Sequence, residues 1–138
     1  MKVPARCLLL IALVMFFALA AAAQETGRPV PRVIEMTATN YQFSPPVIHV
    51  KSNETVDLDV KAIDKAHGIK IDTLAVGAAK GSAAGLEVTS PKDCVKFKKG
   101  RTGTIEFIAL APGTYKFVCC KLCGLGHDHM KGEIIVDP

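Results

Sequence analysis

Hydrophobic and polar residues alternate along most of the chain after residue 32, in short runs separated by turn residues. A period of two places the apolar side chains of a run on one face, as in a half-buried β-strand. In residues 55–60, for example, Val56, Leu58 and Val60 share a face. The runs predict strands at 33–40, 47–51, 55–60, 67–71, 94–98, 104–109, 114–119 and 131–137.

Short strands at even spacing predict an all-β sandwich or barrel. Beyond residue 24 the sequence shows no sustained helical period. Residues 74–91 are rich in glycine, alanine and serine, and they are predicted as a long loop of the kind that borders a functional site. Residues 24–32 hold one glycine and two prolines and are predicted as a flexible lead-in, so that 33–138 forms one domain.

The N-terminal segment has the pattern of a targeting sequence. A short head with two cations, 1–6, precedes an unbroken apolar run, 7–23, that ends in three alanines. This predicts a secretory signal peptide over 1–23, with an uncleaved membrane anchor as the alternative. No later apolar run approaches the roughly 20 residues that span a bilayer. We therefore expect an exported, periplasmic or otherwise extracytoplasmic protein that meets the membrane only through an uncleaved leader.

Charge and aromatic content argue against nucleic-acid binding. Of the 17 lysines and arginines two lie in the leader, and the chain has 13 acidic residues, so the remainder carries only about +2. The densest basic stretch, 92–101, is interpreted as a solvated strand face and turn, and the chain has no tryptophan. A nucleic-acid surface needs more charge, interleaved with aromatic side chains.

Four cysteines lie outside the leader: Cys94, Cys119, Cys120 and Cys123. In an exported protein the default interpretation is two disulfides. Three of the four lie within five residues, however, and His127 and Met130 follow closely. Two thiolates, an imidazole and a thioether on one loop form a soft donor set, which selects copper or zinc, and the thioether favours copper.

The spacing Cys-x3-Cys-x3-His-x2-Met resembles the dinuclear copper-A loop of cytochrome c oxidase subunit II and nitrous oxide reductase. Ligand positions of that family fall on Cys119, Cys123, His127 and Met130 without insertion or deletion. A second histidine ligand comes from an upstream strand soon after an aspartate, which implies His67 after Asp64. The family also uses a backbone carbonyl between the cysteines, which falls on Lys121, where glutamate is usual. The resemblance covers 33–138 and implies the cupredoxin fold, a Greek-key β-sandwich, with two copper ions.

The resemblance implies one-electron transfer by a carrier rather than an enzyme by itself. Its redox partner would be another protein, such as a cytochrome or an oxidase. At most one apolar segment precedes the domain, whereas two membrane helices precede it in the oxidase subunit. Residues 40–43 lack the tryptophan that guides electrons in from cytochrome c. Proton pumping and docking of cytochrome c therefore do not carry over.

Other functions fit part of the pattern. A periplasmic copper chaperone could bind Cu(I) through the same Cys/His/Met loop and hand it on. A mononuclear blue-copper site and a tetrahedral zinc site are further alternatives. Cys120 could pair with Cys94, remain a free thiol or help to capture copper. A thiol reductant or a copper-loading chaperone is an expected partner, because the loop cysteines face an oxidising compartment.

Overall fold

The computed structural model describes residues 29–89 and 93–138. Within these ranges it contains ten strands, one short 3-10 helix at His127–His129 and no α-helix. The strands are β1 (Arg32–Thr39), β2 (Gln42–Ser44), β3 (Val47–Lys51), β4 (Thr55–Ala62), β5 (His67–Ile71), β6 (Leu86–Val88), β7 (Val95–Phe97), β8 (Thr102–Ala109), β9 (Gly113–Cys119) and β10 (Lys131–Asp137). The predicted all-β class is confirmed.

The strands form two five-stranded sheets. The first has the order β2-β1-β4-β8-β6, and the second has the order β3-β10-β9-β5-β7. Two neighbouring pairs are parallel, β1 with β4 and β3 with β10, and the other pairs are antiparallel. Since consecutive strands often lie in different sheets, residues far apart in the sequence become neighbours.

The core follows from the alternation of the strands. Val56, Leu58 and Val60, predicted to share the inner face of β4, are all fully buried. The rings of Phe43 and Phe117 pack edge to face with centroids 5.3 Å apart, which joins β2 of the first sheet to β9 of the second. Burial of the alternate apolar side chains stabilises the sandwich, at about 25 cal/mol for each Å² removed from water.

Two strands, β2 and β6, were not predicted, because an alternation over three residues is too short to recognise unless it belongs to a longer run, as it does for β7 within 94–98. One of them, β6, lies inside the segment 74–91 that the sequence predicts as a loop. The expectation that this segment borders the predicted site fails where the segment begins. Val76 N–H donates to Thr114 O at 2.8 Å, near the start of β9, whereas Cys119 lies at its other end.

The predicted signal peptide or anchor, 1–23, lies outside the described residues, as does most of the predicted lead-in. Residues 29–31 have no regular structure, and β1 begins at Arg32. Across 29–89 and 93–138, the structure has no helix with the length and hydrophobicity that crossing a membrane requires.

Candidate metal centre

Three strand ends meet at one end of the second sheet. Strand β9 runs antiparallel to both β5 and β10, so its end lies beside the beginnings of those strands, with Cys119 opposite Ile69. Cys119 ends β9, His67 begins β5 and Met130 immediately precedes β10. The backbone N–H of Cys119 donates to the carbonyl of Met130 at 2.9 Å. The sheet topology therefore assembles donors from opposite halves of the sequence.

The ligand loop, residues 120–130, brings further donors to the same place. The sulfur of Cys123 lies 3.8 Å from Cys119 Sγ, 3.8 Å from His127 Nδ1 and 3.9 Å from Met130 Sδ. The thiol of Cys119 donates to the carbonyl oxygen of Lys121 at 3.3 Å. All the donors of the loop that the sequence predicts thus come together around two buried sulfurs.

His67 completes the cluster from β5. One of its ring nitrogens lies within 4.8 Å of both thiol sulfurs, and its side chain is fully buried. Its Nε2 lies 2.7 Å from Asp64 Oδ1, and because a carboxylate only accepts, Nε2 carries the proton. Among the described residues, His67 Nδ1 is the buried side-chain atom without a hydrogen-bond partner. A buried acceptor nitrogen beside two thiols is a ready metal ligand.

Asp64 holds His67 in this orientation as a charged group. Burial raises the pKa of Asp64, but hydrogen bonds from His67 and from the backbone N–H groups of Asn40 and Lys65 outweigh that effect. The net pKa is about 2, so the carboxylate is ionised at neutral pH. An ionised acceptor on Nε2–H fixes the tautomer of a metal-binding histidine and increases the basicity of its other nitrogen.

Lys65 contacts the ligand loop from the turn between β4 and β5. Its ammonium group donates to the carbonyl oxygen of Cys123 at 2.9 Å and lies 5.8 Å from the ring centroid of Tyr41. Burial raises the pKa of the Cys123 thiol, Cys119 raises it further, and the charge of Lys65 acts in the opposite direction. No pattern in the sequence indicates these contacts, although Lys65 lies between Asp64 and His67.

The loop needs glycine to turn beneath Tyr41. Gly124 has a φ of +132°, a conformation that residues with a side chain rarely adopt. A Cβ atom on Gly124 would also lie 2.5 Å from Tyr41 Oη. The chain then forms a tight turn, with His127 N–H donating to Gly124 O at 3.1 Å. Asp128 and His129, which lie between His127 and Met130, are exposed to solvent.

Cys94 and Cys120 form a disulfide, which decides between the alternatives that the sequence left open. Among the described residues Cys119 and Cys123 are the free thiols. The disulfide passes over β5 at Gly68, where a Cβ atom would lie 2.9 Å from Cys120 Sγ and 3.0 Å from Cys94 Sγ. Adjacent side chains of a strand point to opposite faces, so Cys119 faces the core as a free thiol and Cys120 faces away from it, towards Cys94.

Comparison with known proteins agrees with this architecture. The sequence model of the cupredoxin-like domain matches residues 9–136. The chain belongs to the cupredoxin-like domain family.

Cytochrome c oxidase subunit 2 of Thermus thermophilus is similar to this cupredoxin-like chain, with 26% identity over 117 residues. The match covers 85% of this chain and 73% of that protein. A second subunit 2, from a particular strain of the same species, has the same identity, and the match covers 59% of its length. The chain therefore spans roughly three fifths to three quarters of these relatives.

Solved structures show the same fold. The periplasmic domain of cytochrome oxidase subunit II from Bradyrhizobium japonicum aligns with a TM-score of 0.57 at 16% identity, over 80% of this chain and 86% of that one. Auracyanin A, a blue copper protein from Chloroflexus aurantiacus, aligns with a TM-score of 0.57 at 18% identity, over 78% of this chain and 100% of that one.

The cupredoxin fold implies copper, and the residues of this chain fit that metal. Two buried thiols, a thioether and an unpartnered imidazole nitrogen form a sulfur-rich set that suits copper better than magnesium or calcium. The pairing of the other two cysteines leaves the thiols of Cys119 and Cys123 free for the metal.

Proposed function

We propose that this cupredoxin-like chain holds a dinuclear copper centre and transfers single electrons in an extracytoplasmic compartment. One observation carries the proposal. The free thiols of Cys119 and Cys123 are buried with their sulfurs 3.8 Å apart, and His67, His127 and Met130 surround them. Two adjacent thiols can each contact two metal ions, whereas a tetrahedral ion would use only four of these donors.

The predicted ligand set divides into strong and weak donors. Cys119 and Cys123 would bridge the two copper ions as thiolates, and the imidazoles of His67 and His127 would each bind through Nδ1. Met130 Sδ and the carbonyl oxygen of Lys121 would be the weak donors, which tune the potential as axial ligands do in blue-copper sites. When bound, the copper pair would take up and release one electron.

Rigid positions of the metal-binding side chains favour electron transfer. His67 and Cys119 lie at hydrogen-bonded strand ends, the carbonyl of Met130 accepts a hydrogen bond from Cys119 N–H, and all three residues are buried. Ligands on rigid elements keep their geometry between redox states. Burial also excludes water from the sulfurs, so little reorganisation accompanies the gain or loss of an electron.

We propose that the protein is exported, with residues 1–23 as its leader and 33–138 as the copper domain. The leader-like sequence and the Cys94–Cys120 disulfide support this, because disulfides persist in oxidising compartments. The redox partner would be a cytochrome or an oxidase, as the similarity to cytochrome c oxidase subunit 2 suggests. The domain would act as a carrier and not as an enzyme by itself.

Replacement of the bridging thiols tests the proposal. Cys119→Ser and Cys123→Ser should each abolish the dinuclear optical spectrum, because hydroxyl oxygen is a poor bridge between copper ions. The double variant Cys94→Ala/Cys120→Ala removes the other sulfur pair and should keep the spectrum. A Cys123→Ser protein that retained two copper ions and the wild-type spectrum would overturn the ligand assignment. Transfer of a single Cu(I) to a chelator would instead indicate the copper chaperone.

A further inference from the structure

Lys65 joins the two parts of the chain that supply the donors. Its ammonium group donates to the carbonyl oxygen of Cys123 at 2.9 Å, across 58 residues of sequence. Its own backbone N–H donates to Asp64 Oδ1 at 2.9 Å, and that oxygen also accepts the Nε2–H of His67. Lys65 is therefore held next to His67, the donor on β5, and is hydrogen-bonded to Cys123, a donor of the ligand loop.

We propose that Lys65 is a positioning residue that holds the ligand loop against β5 and raises the reduction potential of the centre. The second half of this inference rests on the proposed copper function. The first half concerns the protein alone and can be tested without metal.

The surroundings of Lys65 favour its hydrogen bond to the carbonyl oxygen of Cys123 over other positions of the side chain. Lys65 is half-buried, and its ammonium group lies 5.8 Å from the ring centroid of Tyr41, within the range of a cation–π interaction. The same ring lies over the turn at Gly124, next to the bonded carbonyl. Partial burial and the aromatic face limit the positions open to a long side chain, which lowers the entropy cost of holding it on Cys123.

The positive charge of Lys65 would affect the reduction potential of the proposed centre because it lies nearby. The oxidised centre carries one more positive charge than the reduced centre, so a nearby ammonium group disfavours the oxidised state more. Partial burial weakens the solvent screening of that effect. The hydrogen bond from the ammonium group to the carbonyl oxygen of Cys123 would place the charge close to copper held by that cysteine.

Two substitutions separate the role of Lys65 from general packing. Lys65→Met keeps most of the side-chain length and removes the charge and the donor, whereas Lys65→Arg keeps both. Lys70→Met is the matched control, because Lys70 is exposed on β5, three residues from His67. Circular dichroism and thermal melting establish that each variant is folded.

Hydrogen–deuterium exchange in the copper-free protein tests the positioning role. We expect the backbone amides of Cys120, His127 and Met130, which donate hydrogen bonds in and beside the ligand loop, to exchange faster in Lys65→Met than in the wild type. Lys65→Arg and Lys70→Met should match the wild type. Loss of one hydrogen bond to a charged group should make the amides of the ligand loop exchange roughly tenfold faster.

Voltammetry of the copper-loaded proteins tests the electrostatic role. The reduction potential should fall in Lys65→Met and stay near the wild-type value in Lys65→Arg and Lys70→Met. Because the proposal requires both effects, a Lys65→Met protein with wild-type loop exchange or a wild-type potential overturns it. If the wild-type protein fails to bind two copper ions, the proposed function fails, and the exchange experiment alone decides whether Lys65 holds the loop.

Discussion

At the scale of single residues, the site places donors of unequal strength around one sulfur. Cys123 Sγ lies within 4 Å of a thiol, an imidazole nitrogen and a thioether, contributed by Cys119, His127 and Met130. Thiolate and imidazole bind copper strongly, whereas a thioether binds weakly and chiefly alters the redox potential. Met130 should therefore influence the potential more than it influences retention of the metal.

Met130→Leu should keep two copper ions per chain and change the reduction potential. Leucine nearly conserves the volume of this buried side chain, so the cost in stability should stay below about 1.5 kcal/mol. Metal analysis, voltammetry and thermal melting measure the three quantities. Met36→Leu, an equally buried methionine in β1 of the first sheet, is the control and should leave the potential unchanged. Loss of both coppers from a folded Met130→Leu protein would make Met130 a primary ligand.

At the scale of secondary-structure elements, β5 is the central strand of the site. It pairs with β7 on one side and with β9 on the other. The Cys94–Cys120 disulfide joins the residue before β7 to the residue after β9 and passes over β5 at Gly68. It thus fixes the edge of the sheet beside His67 without contributing a donor to the metal.

Removal of this disulfide should destabilise the fold and leave the metal site intact. For a separation of 26 residues, the loss of the cross-link should lower the free energy of unfolding by about 3.5 kcal/mol. Urea denaturation of Cys94→Ala/Cys120→Ala measures this change, and copper content measures the site. An unchanged midpoint of unfolding, or loss of copper from the folded variant, would contradict this view of the disulfide.

The residue pattern predicts elements and donors only where the information is local, and the distant donor His67 follows from the family resemblance instead. Strands such as β4 alternate over enough residues to be recognised, and the spacing from Cys119 to Met130 lies on one short loop. Strands β2 and β6 have three residues each and, unlike β7, belong to no longer alternating run that would reveal a period. The partner of Cys120 and the contact of Lys65 with Cys123 depend on which strands become neighbours, and nothing near either residue in the sequence specifies that.

At the scale of the whole molecule, the proposed extracytoplasmic location conflicts with the proposed copper chemistry. An oxidising compartment favours the Cys94–Cys120 disulfide but also threatens the two thiols of the proposed centre. Cys119 Sγ and Cys123 Sγ lie 3.8 Å apart, so dioxygen could take two electrons and two protons from them and leave a second disulfide. A disulfide has no thiolate with which to bridge copper. A reductant or a copper-loading protein would be needed in the same compartment.

The copper-free protein purified in air should therefore take up copper poorly until it is reduced. In a chain that starts at Gln24, a reductant that opens a Cys119–Cys123 disulfide and spares the Cys94–Cys120 disulfide should yield two titratable thiols. Copper uptake with and without reduction, with thiols counted in each sample, tests this expectation. Equal uptake in both samples, with both thiols free in air, would remove the reason for a reducing partner.

The most direct measurement of the central claim combines copper analysis with electron paramagnetic resonance of the oxidised protein. A dinuclear centre bridged by Cys119 and Cys123 predicts two copper ions and one unpaired electron per chain, with hyperfine coupling to both copper nuclei. One copper ion per chain, with the unpaired electron coupled to a single nucleus, would contradict the account.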